Sequence, residues 1–375
     1  MIDRSRQPTL VLGVTVGMSL VHHEGLPALL RDRGWRVVIV TTPSRETAQL
    51  RADGFEVVGL SMRRNPSPAH DIAGLFAWVK ILSSLKPDVI MVGTPKASLL
   101  GLLAARVTGV PLRLYVLHGL RLETSSGMAR YILSLIERTT AKASTHVLSV
   151  SRSLMEKAVE LDLVPQEKIQ VLGGGSSNGV CVSPGQLSQL HWGLADNRPV
   201  VGYVGRINHD KGFSDLLDAF DTLDSWGISY ASMVVGAPEG QTGNELLERY
   251  KGRLGHHQYV GVVDDVGSQY ERMSVLVLPS YREGLGMVVL EAASYGVPAV
   301  VSNATGVRDS VVNDVTGWHF PVGDRTGLAR TLRDAVSNPD TLRIRGRAAK
   351  ARVSDEFSRQ IVQGRLVKFI EGAAL

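Results

Sequence analysis

The feature that most constrains the fold is an alternation of short β-branched runs with longer amphipathic runs, which occurs twice along the chain. Short runs in the front half cover residues 9–16, 36–42, 88–94, 112–118 and 145–150, with helical patterns near residues 23–33, 70–86, 96–109 and 127–143. The pattern restarts with runs at residues 200–207, 231–237, 274–280 and 298–303. Strands that alternate with helices of about 10 to 15 residues predict parallel, doubly wound sheets. We therefore expect an α/β chain with two Rossmann-like domains.

The boundary between the two runs of elements is a segment without periodicity. Residues 172–185, LGGGSSNGVCVSPG, are rich in Gly and Ser, which is typical of a hinge. We predict an N-terminal domain of residues 1–178, a hinge of residues 179–196 and a C-terminal domain of residues 197–375, whose final helix is a candidate to cross back. Open α/β sheets bind ligands at the carboxyl ends of their strands, so two facing sheets would form a cleft with one ligand platform on each side.

Composition indicates the compartment and the partners that the protein is suited to. The single cysteine, Cys181, excludes an intrachain disulfide and a thiolate metal cluster, which favours a reducing compartment. The apolar stretch at residues 10–21 is too short to span a bilayer, so we expect a cytoplasmic protein. The formal net charge is +5, and residues 1–187 hold 21 Lys and Arg against 14 Asp and Glu. This asymmetry fits either an anionic partner or scattered solvated charge.

One motif places two carboxylates around a glycine loop. In SYREGLGMVVLEAASYGVPAVV, a strand ends near Ser280, Glu283 lies in the loop, and Glu291 lies about one turn inside the following helix. Glycines let backbone N–H groups approach a ligand closely, and a helix N-terminus favours an anion. Carboxylates repel phosphate but suit pairs of sugar hydroxyls. A ligand with a sugar at each end of a diphosphate would fit all three parts.

Three further candidates also follow predicted strands. In VGYVGRINHDKGF, Arg206 and Lys211 surround a glycine turn and could bind adjacent phosphates, although solvated cations are common in such loops. His118 ends a front-half strand, where a lone histidine is more often structural than functional. Gly17 follows the first strand and could allow close approach of a phosphate.

Several familiar motifs are absent from the sequence. There is no Asp-x-Asp pair in a setting suited to a diphosphate-bound metal, and no HExxH, Walker, Cys-x-x-Cys or G-x-S-x-G motif. The first strand is followed by GMSLVHHEG rather than G-x-G-x-x-G, which argues against NAD. Charge on a bound diphosphate would then be neutralised by Arg206, Lys211 and helix dipoles, without a metal or other cofactor.

Taken together, these motifs resemble the family 4 retaining glycosyltransferases of GT-B fold, over essentially the whole chain. Segments at residues 62–68, 94–105, 116–127 and 173–180 are similar to the branch that builds bacterial capsular, exopolysaccharide and O-antigen chains. The resemblance implies two Rossmann-like domains that face each other across a cleft. It also implies a nucleotide diphosphate sugar donor, most simply a UDP-sugar, and a glycan or undecaprenyl-diphosphate-linked acceptor, with no nucleic acid.

The resemblance also implies roles for individual residues. Arg206 and Lys211 would hold the donor diphosphate, Glu291 the ribose hydroxyls and Glu283 the donor-sugar hydroxyls. His118 would lie near the transferred sugar and Gly17 near the β-phosphate. The family has no agreed side-chain nucleophile, so the enzyme would mainly orient substrates and stabilise charge. The backbone expected beside sugar and phosphate is that of Gly284, Leu285, Gly286, Met287 and Val288.

Other functions remain open on the sequence alone. They are a glycosyltransferase for a small-molecule natural product, a non-hydrolysing nucleotide-sugar epimerase, and a catalytically silent sensor of sugar nucleotides. An epimerase would need a pair of acid and base side chains, of which only His118 is evident. A silent relative would not need all of Arg206, Lys211, Glu283 and Glu291.

The basic front half also suggests docking on the inner face of the cell membrane. The candidates for such docking are Arg63, Arg64, Lys96, Arg121 and Arg130. Residues 128–142 have apolar positions at helical spacing, namely Met128, Ile132, Leu135, Ile136 and Thr139. We interpret these apolar positions as the inner face of a core-facing helix.

Overall fold

The computed structural model describes residues 6–63, 67–183, 198–253 and 255–374 of the chain. The chain divides into two compact units. Unit 1 is Met1–Asn178 together with Val362–Leu375, and unit 2 is Gly179–Ile361. Of the predicted hinge, residues 184–196 lie outside the described residues.

Unit 1 contains one sheet of seven parallel strands in the order β3-β2-β1-β4-β5-β6-β7. The strands are β1 Thr9–Val16, β2 Arg36–Thr42, β3 Glu56–Gly59, β4 Val89–Val92, β5 Leu112–Leu117, β6 His146–Ser149 and β7 Ile169–Gln170. The α-helices of this part are α1 Leu26–Asp32, α2 Arg45–Ala52, α3 Pro68–Leu85, α4 Pro95–Val107, α5 Gly127–Ala143 and α6 Arg152–Glu160. Short 3₁₀ turns follow β1 and β5, at Gly17–His23 and Arg121–Thr124.

Unit 2 contains a second sheet of six parallel strands in the order β10-β9-β8-β11-β12-β13. The strands are β8 Val200–Val204, β9 Ala231–Val235, β10 His257–Gly261, β11 Val275–Leu278, β12 Ala299–Ser302 and β13 Gly317–Phe320. The helices are α7 Phe213–Ser225, α8 Gly240–Lys251, α9 Gly267–Tyr270, α10 Met287–Ser294, α11 Arg325–Val336 and α12 Pro339–Arg352. The last helix, α13 Arg359–Ala374, begins in unit 2 and from Val362 onward belongs to unit 1.

Local sequence accounts for the central elements of both sheets. Strands β1, β4, β8 and β11 are runs of apolar residues buried along nearly their whole length, as strands covered on both faces must be. Proline stands at the first turn of α3 and α4, where its missing N–H is tolerated. The predicted α/β class with two parallel, doubly wound sheets is confirmed.

The strand order fixes where loops can form a site. In unit 1 the order reverses between β1 and β4, and in unit 2 between β8 and β11. Neighbouring strands at such a switch point send their following loops apart, which leaves a crevice at the carboxyl edge. The loops after β8 and β11 are the ones that carry Arg206, Lys211 and Glu283.

Candidate active site

The central contact of the site joins Lys211 to Glu283. The Lys211 ammonium donates a hydrogen bond to Oε1 of Glu283, and the Ser280 hydroxyl donates to the same oxygen at 3.0 Å. Both charged side chains are about four-fifths buried, with 20% of Lys211 and 18% of Glu283 exposed. The backbone N–H of Lys211 donates to Oδ1 of Asn208 at 2.9 Å, which orients the loop. The structure therefore brings together two residues that are 72 positions apart in sequence.

The loops after β8 and β11 are held to each other by further contacts. The Tyr281 N–H donates to the Asp210 carbonyl at 2.9 Å, and the Arg282 guanidinium contacts the Asp210 carboxylate at 3.0 Å. The rings of His209 and Tyr281 stack with centroids 5.3 Å apart. Sequence reasoning missed Asp210, Tyr281 and Arg282, although all three lie within the two quoted motifs. These contacts fix the separation of the two loops, so Lys211 and Glu283 are held in place by more than their own pairing.

A glycine makes the close approach of these loops possible. Gly212 has φ +68°, a conformation that favours glycine, and a Cβ there would lie 2.1 Å from the Pro279 carbonyl oxygen. Any side chain at this position would push the loops after β8 and β11 apart.

The loop from Glu283 to α10 is supported from its other side. The Glu283 N–H donates to the Thr305 carbonyl at 3.0 Å. Gly306 has φ +75°, and a Cβ there would lie 2.3 Å from the Glu283 carbonyl oxygen and 2.5 Å from that of Gly284. Leu285 is buried in the core, so only its backbone could serve a ligand. Gly286 is the N-cap of α10 and has no side chain to cap the first turn, where Met287 and Val288 follow.

Glu291 lies one turn inside α10, where the sequence predicted it. Its Oε2 accepts a hydrogen bond from the Tyr270 hydroxyl at 2.9 Å. Burial raises the pKa of the Glu291 carboxyl, and it raises the pKa of the Tyr270 hydroxyl as well. This carboxyl group is therefore partly desolvated and already binds one hydroxyl, which is the chemistry that a sugar diol would require. Tyr270 could not be found from the motif because it belongs to α9.

Arg206 has a different environment from Lys211. Its guanidinium donates to both oxygens of Glu239, at 2.6 and 2.7 Å, and the Asn208 amide also donates to Glu239. The side chains of Arg206 and Glu239 are 60% and 50% exposed. Glu239 comes from the loop after β9, and no sequence motif connects it with the site. Arg206 is thus a solvated cation at the rim of the loops, with an anion beside it.

In unit 1, His118 lies in a cluster of histidines. Its ring centroid is 5.3 Å from that of His22 and 6.2 Å from that of His23. Burial holds the pKa of His118 well below its usual value, with a smaller contribution from the two neighbouring rings. Burial also lowers the pKa of His22, and it lowers that of His23 to about 3. The cluster is therefore neutral at physiological pH and supplies hydrogen-bonding nitrogens rather than positive charge.

The histidine cluster was only partly visible in sequence. His118 was a candidate because it ends the run predicted as a strand, and it directly follows β5, but His22 and His23 follow a different strand, in the segment GMSLVHHEG. Gly93, after β4, lets the His118 ring lie against the backbone, since a Cβ at Gly93 would be 2.5 Å from Nε2 of His118. Across the described parts of the chain, no group of three or more His, Cys, Asp or Glu side chains is arranged to hold a metal ion.

Gly17 is one of the residues that line a cavity in unit 1. A Cβ on Gly17 would be 2.2 Å from the Ser44 hydroxyl and 3.0 Å from the Glu46 carboxylate. The cavity has a volume of about 640 Å³ and is lined by the turn after β1 and by α1 and α2. Its lining includes Met18 and Val21, two large apolar residues that are exposed, together with His23. The contact between Gly17 and a phosphate stays a prediction.

Both halves of the chain are similar to known glycosyltransferases. Residues 189–352 match the family described as glycosyl transferases group 1, and residues 21–175 match the glycosyl transferase 4-like domain. The capsular polysaccharide biosynthesis glycosyltransferase CapM of Staphylococcus aureus is 34% identical over 358 residues, covering 93% of each chain. The UDP-Gal:alpha-D-GlcNAc-diphosphoundecaprenol alpha-1,3-galactosyltransferase of Escherichia coli is 27% identical, covering 73% of this chain and 74% of that protein.

The fold has close counterparts among solved structures. Anabaena HepE, determined in complex with UDP, superposes with a TM-score of 0.78, at 18% identity, over 97% of this chain and all of that one. At this identity the likeness concerns the fold, which is the GT-B fold implied by the sequence motifs.

Proposed function

Because this chain belongs to the group 1 glycosyltransferases, we propose that it transfers a sugar from a UDP-sugar to an undecaprenyl-diphosphate-linked glycan in the synthesis of a bacterial surface polysaccharide. The observation that carries the donor half of this proposal is the Lys211–Glu283 pair between the loops of the unit 2 switch point. The acceptor half is supported by the relatives, one of which is named for a diphosphoundecaprenol substrate.

The donor site would use groups of opposite charge for different parts of the ligand. The ammonium of Lys211 and the guanidinium of Arg206 bind the two phosphates, aided by the N-terminus of α10. The Glu291 carboxylate accepts hydrogen bonds from the ribose hydroxyls, and that of Glu283 from hydroxyls of the donor sugar. When the diphosphate enters, Lys211 exchanges part of its contact with Glu283 for a phosphate oxygen, and Glu283 turns to the adjacent sugar.

The reaction breaks the bond between the anomeric carbon and the β-phosphate oxygen and forms a bond from that carbon to the acceptor oxygen. The acceptor's proton passes to the departing diphosphate, whose negative charge Lys211 and Arg206 stabilise. The acceptor oxygen joins the anomeric carbon on the same face of the sugar from which the diphosphate departs, so the anomeric configuration is retained. His118, kept neutral by burial, contributes a hydrogen bond to the transferred sugar or the acceptor hydroxyl. No metal ion is required, because the cations are supplied by the protein.

The first test is donor choice and metal dependence. The purified protein is incubated with UDP-glucose, UDP-galactose, UDP-N-acetylhexosamines and GDP-mannose, and release of nucleoside diphosphate is measured with and without an undecaprenyl-diphosphate-linked sugar. We expect one UDP-sugar to be preferred, release to be faster with the acceptor, and the rate to be unchanged in EDTA. Loss of activity in EDTA that Mg²⁺ or Mn²⁺ restores would contradict metal independence.

The product distinguishes the remaining possibilities. NMR of the isolated product is expected to show the same anomeric configuration as in the donor, and inversion would overturn the proposed stereochemistry. Conversion of the nucleotide sugar to its epimer without release of nucleoside diphosphate would indicate an epimerase. Transfer only to soluble aglycones would replace the lipid-linked acceptor by a small-molecule one.

A further inference from the structure

The outer surface of unit 1 corrects two of the predictions. Lys96, a candidate for docking on a membrane, has only 12% of its side chain exposed and is paired with Asp71 at 2.7 Å. Arg64 lies outside the described residues. Within the described residues no helix is long and apolar enough to cross a membrane. The apolar positions of α5 that were predicted to face the core are instead exposed at Met128, Ile132 and Leu135.

The interior of unit 1, in contrast, contains two buried amides that join distant parts of the chain. Asn178 and Gln363 are each only 5% exposed. The Gln363 amide donates to Oδ1 of Asn178 at 2.8 Å and to the Glu24 carbonyl at 2.7 Å. The Asn178 amide donates to the Val21 carbonyl at 3.4 Å. These hydrogen bonds join α13, and the last residue before the chain leaves unit 1, to the turn after β1.

The two carbonyls that accept these hydrogen bonds flank a pair of histidines. The order in sequence is Val21, His22, His23 and Glu24, so the backbone is held on each side of the pair. The amides that hold it are buried and would lose their partners if the turn moved away, which costs free energy. The turn is therefore fixed by residues that lie more than 150 positions away in sequence.

The side chain of His23 supplies little restraint of its own. His23 is 3% exposed, and its Nδ1 has no hydrogen-bond partner within the described residues. Packing and the backbone of the turn therefore decide where this ring lies, and the backbone is held by the hydrogen bond from Gln363 to the next residue, Glu24.

The rings that this turn carries form part of the seat of His118. The ring centroid of His22 lies 5.3 Å from that of His118 at an interplanar angle of 34°, and the ring of His23 meets it edge-on at 6.2 Å. Gly93 completes the seat, because a Cβ there would be 2.5 Å from Nε2 of His118. If the turn moved, water would enter this seat and the His118 ring could rotate.

Packing of α13 does not by itself account for an amide at position 363. The other buried positions of this helix, Val362, Leu366, Val367, Ile370 and Ala374, are apolar. An apolar side chain at position 363 would bury as well, whereas a buried amide is tolerated only with partners. What the amide adds is directional hydrogen bonding, which holds the turn at one position relative to α13.

We propose that Gln363 and Asn178 are positioning residues: they hold the turn that carries His22 and His23, and these two rings hold His118 in a single orientation. The effect on transfer rests on the role of His118 in the proposed function, whereas the effect on the His118 ring does not. The two effects can therefore be measured apart.

NMR of the full chain, labelled on histidine, measures the His118 ring directly. Its signal is identified as the one lost in His118→Gln. Gln363→Met keeps the length of the side chain and removes both hydrogen-bond donors. In this variant we expect the His118 signal to broaden or split, and the pKa of His118 to rise toward 6.5, because the ring loses the burial that lowers its pKa.

Turnover and donor binding should respond differently to the same variant. Turnover of Gln363→Met should fall by about tenfold or more, since a small displacement of a group at the reacting centre has a large effect on rate. Binding of UDP should stay within about twofold, because the residues proposed to bind it, Lys211 and Glu291 among them, lie in unit 2. A loss of UDP binding as large as the loss of turnover would overturn the proposal.

The matched control is Gln360→Met, at an exposed glutamine three residues earlier on α13. It should show the His118 signal and the turnover of the unsubstituted protein. Equal effects of Gln360→Met and Gln363→Met on the His118 signal, or no effect of Gln363→Met, would overturn the proposal.

A double-mutant cycle tests whether Gln363 acts through the histidines. His22→Ala removes the nearer ring and leaves the hydrogen bonds of Gln363 in place, so it should itself lower turnover and change the His118 signal. In the His22→Ala background, Gln363→Met should cost less turnover than it costs alone. Losses that simply multiply would contradict action through His22. If Gln363→Met does not fold, an unchanged His118 signal in His22→Ala is enough to overturn the proposal.

The two readouts separate this proposal from the proposed function. A changed His118 signal in Gln363→Met with unchanged turnover would sustain the positioning of the ring and refute the role of His118 in transfer. Lowered turnover with an unchanged His118 signal would overturn the positioning and leave the proposed function in place. If the unsubstituted protein transfers no sugar from any UDP-sugar, the proposed function fails, and the His118 signal still decides whether Gln363 holds the ring.

Discussion

The carboxyl edges of the two sheets share a topology but present opposite chemistry. In unit 2 the loops at the switch point are joined by charged groups, with Lys211 on Glu283 and Arg282 on Asp210. In unit 1 the corresponding edge holds His118 among His22 and His23, all with lowered pKa values.

This difference shows that the parallel sheet supplies only a place for a site. The polarity of each edge depends on a few loop residues. Paired charges suit a diphosphate with polar sugars at both ends, whereas neutral imidazoles suit an uncharged hydroxyl acceptor. Substitutions at the charged edge of unit 2 and at the neutral edge of unit 1 should therefore have effects as different as the contacts of these edges.

The largest effect is expected for Lys211→Ala. This substitution removes the proposed phosphate ligand and leaves the mostly buried Glu283 without its cation, so donor binding should weaken by about 3 kcal/mol. Arg206→Ala should weaken it by only about 1.5 kcal/mol, because Arg206 is 60% exposed and its interactions are screened by water. Calorimetric titration with UDP and with the preferred UDP-sugar measures both.

Lys251→Ala is the control for this comparison, since Lys251 also pairs with a glutamate in unit 2 but is 46% exposed. It should bind donor normally. Equal losses for Lys211→Ala and Arg206→Ala would show that burial of the ion pair does not set its importance.

Substitutions of Glu291 and Glu283 in unit 2 should affect different steps, namely UDP binding for Glu291 and turnover for Glu283. Glu291→Ala should weaken binding of free UDP by about 2 kcal/mol, because it removes the proposed ribose contacts. Glu283→Ala should leave UDP binding unchanged or slightly tighter, since it frees the Lys211 ammonium, while turnover falls. Equal weakening of UDP binding by both substitutions would contradict the assignment of the carboxylates to opposite ends of the donor.

Replacing a glycine by alanine should reduce stability more where the added Cβ would meet backbone atoms than where it would meet a side chain. A Cβ on Gly306 would meet the carbonyl oxygens of Glu283 and Gly284, and its φ is +75°. Gly306→Ala should therefore lower the free energy of unfolding by about 1 to 3 kcal/mol and reduce turnover by displacing Glu283. A Cβ on Gly93 would meet the His118 ring at 2.5 Å but the nearest backbone atom, the Val116 carbonyl oxygen, only at 3.2 Å, so the effect of Gly93→Ala should be smaller.

Gly364→Ala is the control because no heavy atom lies within 4 Å of a Cβ there. In α13 it should raise stability by about 0.5 to 1 kcal/mol. Denaturant titration measures all three variants, and an effect of Gly93→Ala as large as that of Gly306→Ala would remove the distinction.

The smallest effect concerns the buried acid of unit 1. Burial raises the pKa of Glu137 from 4.5 to about 7, so the folded protein keeps this proton where the unfolded chain loses it. The stability that the protonated carboxyl contributes is complete below pH 4.5 and is lost as pH rises through about 7. Glu137→Gln should therefore raise the free energy of unfolding by about 1 to 2 kcal/mol at pH 8 and not at pH 4.

The histidines of unit 1 give the opposite slope, since their lowered pKa values reduce stability as pH falls below 6.5. For this reason the quantity to measure is the difference between Glu137→Gln and the unsubstituted protein at each pH. Glu248→Gln, at a glutamate that is 71% exposed, is the control. A difference that does not change between pH 4 and pH 8 would contradict the raised pKa.

The sequence by itself determined the elements that are defined by local burial. Strands β1 and β2 begin and end at the predicted residues, and α5 spans the predicted range. The loops that carry Lys211 and Glu283, and the position of Glu291 within α10, also follow from short apolar runs and their flanking glycines. Such features depend on residues close by in sequence, within one or two helical turns, so the periodicity of apolar residues predicts them directly.

The tertiary structure decided everything that depends on residues distant in sequence. Strands β3, β7, β10 and β13 were missed. Of these, β7 has two residues, and β10 is half-buried throughout and lies at the sheet edge, so pairing rather than pattern defines it.

The same reason applies to the ion pairs and to α5. Lys211 meets Glu283, and Arg206 meets Glu239, only because separate strands end side by side. The period of α5 locates an apolar stripe but does not give its rotation about the helix axis, which the contact of Glu137 with Tyr115 decides. A pattern along one helix contains no information about which side its neighbours occupy. The exposure of Met128, Ile132 and Leu135, which were predicted to face the core, is therefore visible only in the folded protein.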